Sequence, residues 1–131
     1  MPDFRLVEAG RMGRVAYARV APNEDLVLSI EKLCVAEGFA HAFVRGALGS
    51  LVDACFVAPG GGTRQVRGPA VEVVSLAGEV RTQADGSLRA AITGVVADTD
   101  GHVHGGPFVA GANPVCVTFE VTLEEWLPAA A

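Results

Sequence analysis

One stretch constrains the fold of this chain more than any other: residues 21–38, APNEDLVLSIEKLCVAEG. Here alone the apolar residues recur at helical spacing. Leu26, Ile30 and Leu33 form a stripe, Val27 and Cys34 flank it, and only Glu37 breaks it. Asn23 is placed to cap the first turn. Glu24 and Asp25 fall where the helix dipole favours acid, and Gly38 can close the last turn in a left-handed conformation. Everything else reads as strand and turn. DFRLV at 3–7, residues 11–20, FAHAFVRGAL at 39–48, LVDACFVA at 51–58, residues 71–80, 87–97 and 114–123 are β-favouring runs. A break is expected near Gly49–Ser50, a turn at PGGGT (59–63), and hairpin turns at ADG (84–86) and DTDG (98–101). One main helix against about seven mostly antiparallel strands predicts an α+β domain.

The 131 residues predict one domain, residues 1–131. Folding a chain of this size buries about two-thirds of its unfolded surface, enough for a core without disulfides or a structural metal. Half the residues are hydrophobic and 19% are charged. So apolar a small protein gains by covering part of its surface with a partner, most often a copy of itself. The net charge is −5, Lys32 is the one lysine, and the arginines are scattered. DNA binding needs clustered cations to displace counterions, so direct DNA contact is doubtful; a patch from Arg64 and Arg67 would work against the overall field. Cys34, Cys55 and Cys116 sit in apolar runs without paired spacing, as reduced, buried thiols do. The first ten residues lack the apolar core of a signal peptide, and no 18-residue apolar run offers a membrane span. A cytoplasmic protein is expected.

Residues 100–108, DGHVHGGPF, hold the most chemistry per residue. His102 and His104 are metal candidates, because alternate residues of an extended segment share a face, and Asp98 or Asp100 could add an oxygen. The competing reading, which is favoured, is a D-x-D-G turn followed by solvent-facing histidines. His41, in a strand-like run, reads as a packing residue first and a ligand second, although it could meet His102 or His104 across a subunit boundary. No nucleophile has a base beside it: the cysteines have apolar neighbours, and Ser50 after G-A-L-G is not a nucleophile elbow. PGGG lacks the lysine and following helix of a phosphate loop. Glu72 and Glu120 each interrupt an apolar strand and need a partner if buried, with Arg45, Arg81 and Arg89 available. Gly105–Gly106 point to close backbone approach or a φ that other residues resist.

The order of these pieces resembles a known family. Arg19, Pro22, Glu24, Asp25 and Leu26 spell R-x-x-P-x-E-D-L; E-G-F stands at 37–39, G-x-L-G-S at 46–50, G-P-A-V-E-V-V-S-L-A-G at 68–78, A-D-T-D-G at 97–101 and G-G-P-F at 105–108. Over residues 14 to about 122 this resembles the plant-and-prokaryote-conserved (PPC) domain, including bacterial single-domain proteins labelled as DNA-binding. The resemblance implies an antiparallel sheet with a packed helix, and a homotrimer. It also implies that relatives can hold a metal on three histidines, in H-x-H before the A-D-x-D-G turn and G-G-H-L after it. Here those positions are Ala91, Thr93 and Pro107. A methyl, a hydroxyl and an imide ring cannot replace imidazole nitrogens, so no cofactor and no catalytic residue is expected. No basic R-G-R-P hook, the DNA-binding element of plant members, occurs. If a pocket persists at the degenerate metal site, Ala91, Thr93, His104, Gly105, Gly106, Pro107 and Phe108 should line it, with Glu72 as a possible floor. The expectation is a self-assembling binding module, with itself and a small molecule or protein as partners; a DNA-binding protein and an enzyme with an inter-subunit pocket are the alternatives.

Overall fold

The computed structural model describes residues 3–130. The element order is β1 (Gly10–Val20), α1 (Leu26–Glu37), β2 (His41–Val57), β3 (Thr63–Thr82), β4 (Leu88–Ala97), β5 (Val103–Pro107) and β6 (Val115–Pro128). The helix forms where the apolar stripe predicts it, but its cap is Asp25, not Asn23. Asp25 is extended (φ −80°, ψ 136°) and its carboxylate accepts the Leu28 amide at 2.9 Å, satisfying a donor the first turn leaves open. Asn23 instead takes a left-handed φ of 70°. The helix ends as expected, on Gly38 at φ 72°, with the Phe39 amide bonded to the Cys34 carbonyl at 2.9 Å.

Six strands form one antiparallel sheet in the order β1-β6-β2-β3-β4-β5. The mostly antiparallel sheet with one helix is as expected, with six strands where about seven are read. DFRLV forms no strand. The two runs around Gly49–Ser50 are one continuous strand, β2, whose register slips at Arg45 and again between Gly49 and Leu51. A bulge absorbs an extra residue without ending the strand. β3 also begins earlier than expected, at Thr63, and VHGGP, left unread beyond the turn, is β5. The expected turns at PGGGT and ADG are present: Ala58 and Gly62 exchange a bond at 3.0 Å, and Gln83 and Ser87 one at 2.7 Å.

Side chains of cross-strand partners point to the same face. Leu51, Val71, Val80, Val96, Phe119 and Leu123 face inward and are buried, with Leu26, Val27, Ile30 and Cys34 of α1 in the same core. The distal part of β2 curls round to meet the far edge. Phe56 bridges to Phe108 just beyond β5, their rings 4.7 Å apart, and the Val109 amide bonds the Cys55 carbonyl. The outer face is different. Val15, Tyr17 and Leu48 point away from the core, with exposures of 59%, 67% and 54%, and Val117 bulges out at 71%.

Candidate functional site

The histidines fall into two corners of the sheet. The first is the β4–β5 turn. Asp98 Oδ1 accepts the amides of Asp100 (3.0 Å) and His102 (2.9 Å), and Gly101 completes the turn at φ 82°. Its other oxygen, Oδ2, meets His104 Nε2 at 2.9 Å and lies 3.7 Å from His102 Nδ1. His102 is exposed at 76%; His104, on β5, is not, at 16%. The rings therefore do not share an environment, and the reading of two solvent-facing histidines holds for His102 alone. His104 Nδ1 faces an Arg64 amine at 3.1 Å. Arginine only donates, so Nδ1 accepts, and Nε2–H donates to Asp98. This bond, with the backbone amides behind it, holds the Asp98 carboxyl below its ordinary range. Ligand atoms of Asp98, Asp100 and His102 lie within 4.8 Å of one another, a spacing that a cation could span.

The three positions where the resemblance expects histidines in relatives lie on the outer face. Ala91 and Thr93 are exposed there on β4, and Pro107 is the cross-strand partner of Thr93. The fold brings these three positions together, and none carries a donor suited to a transition metal. The other pocket residues divide. His104 pairs with Val96, a core residue, so it lies on the opposite face, and Phe108 is buried in the core. Gly106, at φ 151°, lies against Phe56, and a Cβ on Gly105 would stand 2.9 Å from the Gly94 carbonyl oxygen. Both glycines serve backbone geometry, as their pairing suggests. Glu72 is exposed opposite Ala97 and Ser50, not a buried floor. The eight residues thus do not line one pocket.

The second corner holds a grouping that sequence reasoning missed. Glu79 is the cross-strand partner of Ala91. Its carboxylate meets His41 Nε2 at 2.8 Å and Arg81 Nε at 3.2 Å. Burial pushes the Glu79 carboxyl up, but bonding to His41 and the charge of Arg81 outweigh it, and the net shift is downward. Beside this triad is a hollow of about 300 Å³, lined by Val7, Glu8, Ala40, His41, Arg81 and Thr82. Alternation of Glu79 with Arg81 was the only signal in the sequence. The arginines expected to serve Glu72 and Glu120 work elsewhere: Arg45 pairs with Glu124 at 3.1 Å and Arg81 with Glu79. Glu120 bonds the Tyr17 hydroxyl and lies 3.6 Å from Arg19. Burial pushes the Cys34 thiol up to about 11, so it is not a ready nucleophile. No helix is long and apolar enough to cross a membrane among the described residues.

An antiparallel sheet capped by one helix defines a class of protein that comparison can name. The sequence profile of the Plants and Prokaryotes Conserved (PCC) domain, the PPC domain, matches residues 7–127. The chain belongs to that family. Among solved structures it is similar to a PPC protein from Pyrococcus horikoshii, at TM-score 0.79 and 23% identity over 94% of this chain and 85% of the other. It is equally similar in fold to a metal-containing protein from Archaeoglobus fulgidus, at TM-score 0.79 and 22% identity over 96% and 89%. A candidate DNA-binding protein from Bacteroides thetaiotaomicron follows at TM-score 0.73 and 12% identity over 88% and 83%. No curated protein matches the chain.

Proposed function

We propose that this chain is a self-assembling binding module, a cytoplasmic homotrimer that recognises a small-molecule or protein ligand and performs no chemistry of its own. The observation that carries this reading is the uncovered outer face. Val15, Tyr17, Leu48 and Val117 leave more than half of their surface in water on a sheet whose other face is packed. Apolar surface of this kind marks an interaction site, and covering it gains about 25 cal/mol per Å². A trimer is the assembly that the family resemblance implies. Three free cysteines suit a reducing compartment. No resident metal is proposed, because Ala91, Thr93 and Pro107 offer no ligand set, although the structurally similar A. fulgidus protein is described as metal-containing.

Direct DNA binding, the description attached to two structural relatives, is disfavoured here. The net charge is −5, and Arg14, Arg19, Arg45 and Arg81 are each engaged with a carboxylate. Native mass spectrometry of protein purified without chelator tests the reading. The expected result is a trimer with no stoichiometric metal. Glutamates at Tyr17 and Leu48 together should weaken assembly at least tenfold, about 1.4 kcal/mol. A wild-type monomer at micromolar concentration would sink the proposal, as would a trimer indifferent to the double substitution.

A further inference from the structure

We infer that the outer face of β2, β3 and β4 carries an oxyanion site, built on Arg81 and Arg89 with His41 beside them, that takes a phosphate group. Strand register supplies the first argument. His41 is the cross-strand partner of Arg81, and Arg81 that of Arg89, so three basic side chains cross three strands in one row on one face. Directly opposed side chains have Cβ atoms about 5 Å apart, and like charges so placed destabilise a sheet. A sheet that keeps Arg81 opposite Arg89 gains from an anion between them.

The available counter-charge meets that need only in part. Glu79, on the same face in the adjacent row with Phe43 and Ala91, is shared between His41 Nε2 and Arg81 Nε. This leaves the terminal amines of Arg81 as donors. Arg89 forms no salt bridge and no side-chain hydrogen bond among the described residues. Asp85, in the neighbouring turn, has one oxygen taken by the Ser87 hydroxyl (2.6 Å) and amide (3.0 Å), and it feels the charge of Arg89 without forming an ion pair with it. Two guanidinium forks suit a tetrahedral oxyanion, which accepts paired hydrogen bonds from each. A phosphate monoester brings about −1.5 to −2 charges at neutral pH, close to what the two arginines need. The hollow beside His41 and Arg81, about 300 Å³, leaves room for the group the phosphate is attached to; Glu8, which accepts from Trp126 Nε1, also lines it. The site is clear of Leu48, which lies seven residues from His41 along β2, roughly 23 Å at about 3.3 Å per residue; Val15, in one row with Glu124 and Phe43, is the nearer end of the apolar surface.

The inference rests on the binding-module reading for its purpose and gives that module a ligand class. Inorganic phosphate is the probe, titrated at constant ionic strength against chloride, with binding followed by phosphorus NMR and by Tm. Wild type should bind saturably and gain Tm; Arg89→Ala should bind at least tenfold more weakly. Arg89→Glu separates a site from a merely structural arginine. It should raise Tm without phosphate, because it turns a like pair into an opposite one, and it should abolish the response. No saturable binding by wild type, or an equal response from all three proteins, as general exclusion of phosphate from protein surfaces gives, would overturn the site. A fall in Tm for Arg89→Glu without phosphate would do the same. Native mass of the same samples reads assembly independently. Phosphate binding by a monomer would refute the assembly alone, and a trimer that ignores phosphate would refute the site alone.

Discussion

His104 and His41 each stand with a carboxylate and an arginine, yet the order differs. At the β4–β5 corner the histidine is in the middle: Asp98 takes Nε2 and Arg64 faces Nδ1. At the β2–β3 corner the carboxylate is in the middle: Glu79 takes His41 Nε2 on one side and Arg81 on the other. The first order uses both ring nitrogens and ties the turn after β4 to the start of β3. The second leaves His41 Nδ1 available, next to a hollow. The same three residue types thus use both ring nitrogens at one corner and leave one ring nitrogen unengaged at the other. Residue type alone does not tell a functional histidine from a structural one; its place in the hydrogen-bond chain does.

Opening the first corner should have the largest effect. Phe108 is 7% exposed, stacks on Phe56 and lies against Gly94, where a Cβ would meet its ring at 2.5 Å. Phe108→Ala should cost about 3–5 kcal/mol in denaturant unfolding, the usual range for a buried phenylalanine. A cost below about 1 kcal/mol would mean that the contact between β2 and the β5 edge is not what holds His104 in place.

A smaller effect concerns acid. The Asp98 carboxyl is lowered in the folded chain, chiefly by the His104 bond. A lowered carboxylate contributes stability that is present above its unfolded pKa and is lost as pH falls through the folded value. Wild type should therefore lose stability below about pH 4, near the ordinary aspartate value. Asp98→Asn should be less stable than wild type at neutral pH and should show a shallower fall in acid. Urea midpoints measured between neutral pH and pH 3 read both. Parallel curves for the two proteins would show that the His104 bond adds nothing to folding.

The helix and the turns were legible because their signals are local. The stripe from Leu26 to Leu33 and Gly38 at its end each act through neighbours in sequence. Asn23 and Asp25 are both good caps, and only the backbone decides between them: Asn23 is left-handed and Asp25 extended. Gly49 misled for a physical reason. It reads as a break, yet at φ 146° it stays in β2, where a Cβ would stand 2.3 Å from the Thr118 carbonyl oxygen. DFRLV alternates like a strand but finds no partner to pair with. The Glu79 grouping was illegible because His41 and Glu79 are 38 residues apart and meet only through register. The resemblance groups Ala91, Thr93 and Pro107, but only the register shows that His104 lies on the other face.

The least costly change should be at the second corner. His41 and Arg81 share a carboxylate that is itself 30% exposed, and the Arg81 side chain is 51% exposed. Solvent screens such pairs to about 0.2–1 kcal/mol. His41→Ala should therefore cost within that range, far less than Phe108→Ala, and should leave the acid limb governed by Asp98 unchanged. Loss of His41 also removes one of the two groups that hold the Glu79 carboxylate, so Arg81 should turn more fully towards Glu79 and offer less to an incoming anion. The expected signature is a near-neutral stability change paired with weaker phosphate binding. A large stability loss with phosphate binding intact would reverse the comparison, making His41 the structural histidine and leaving the arginines to hold the anion alone.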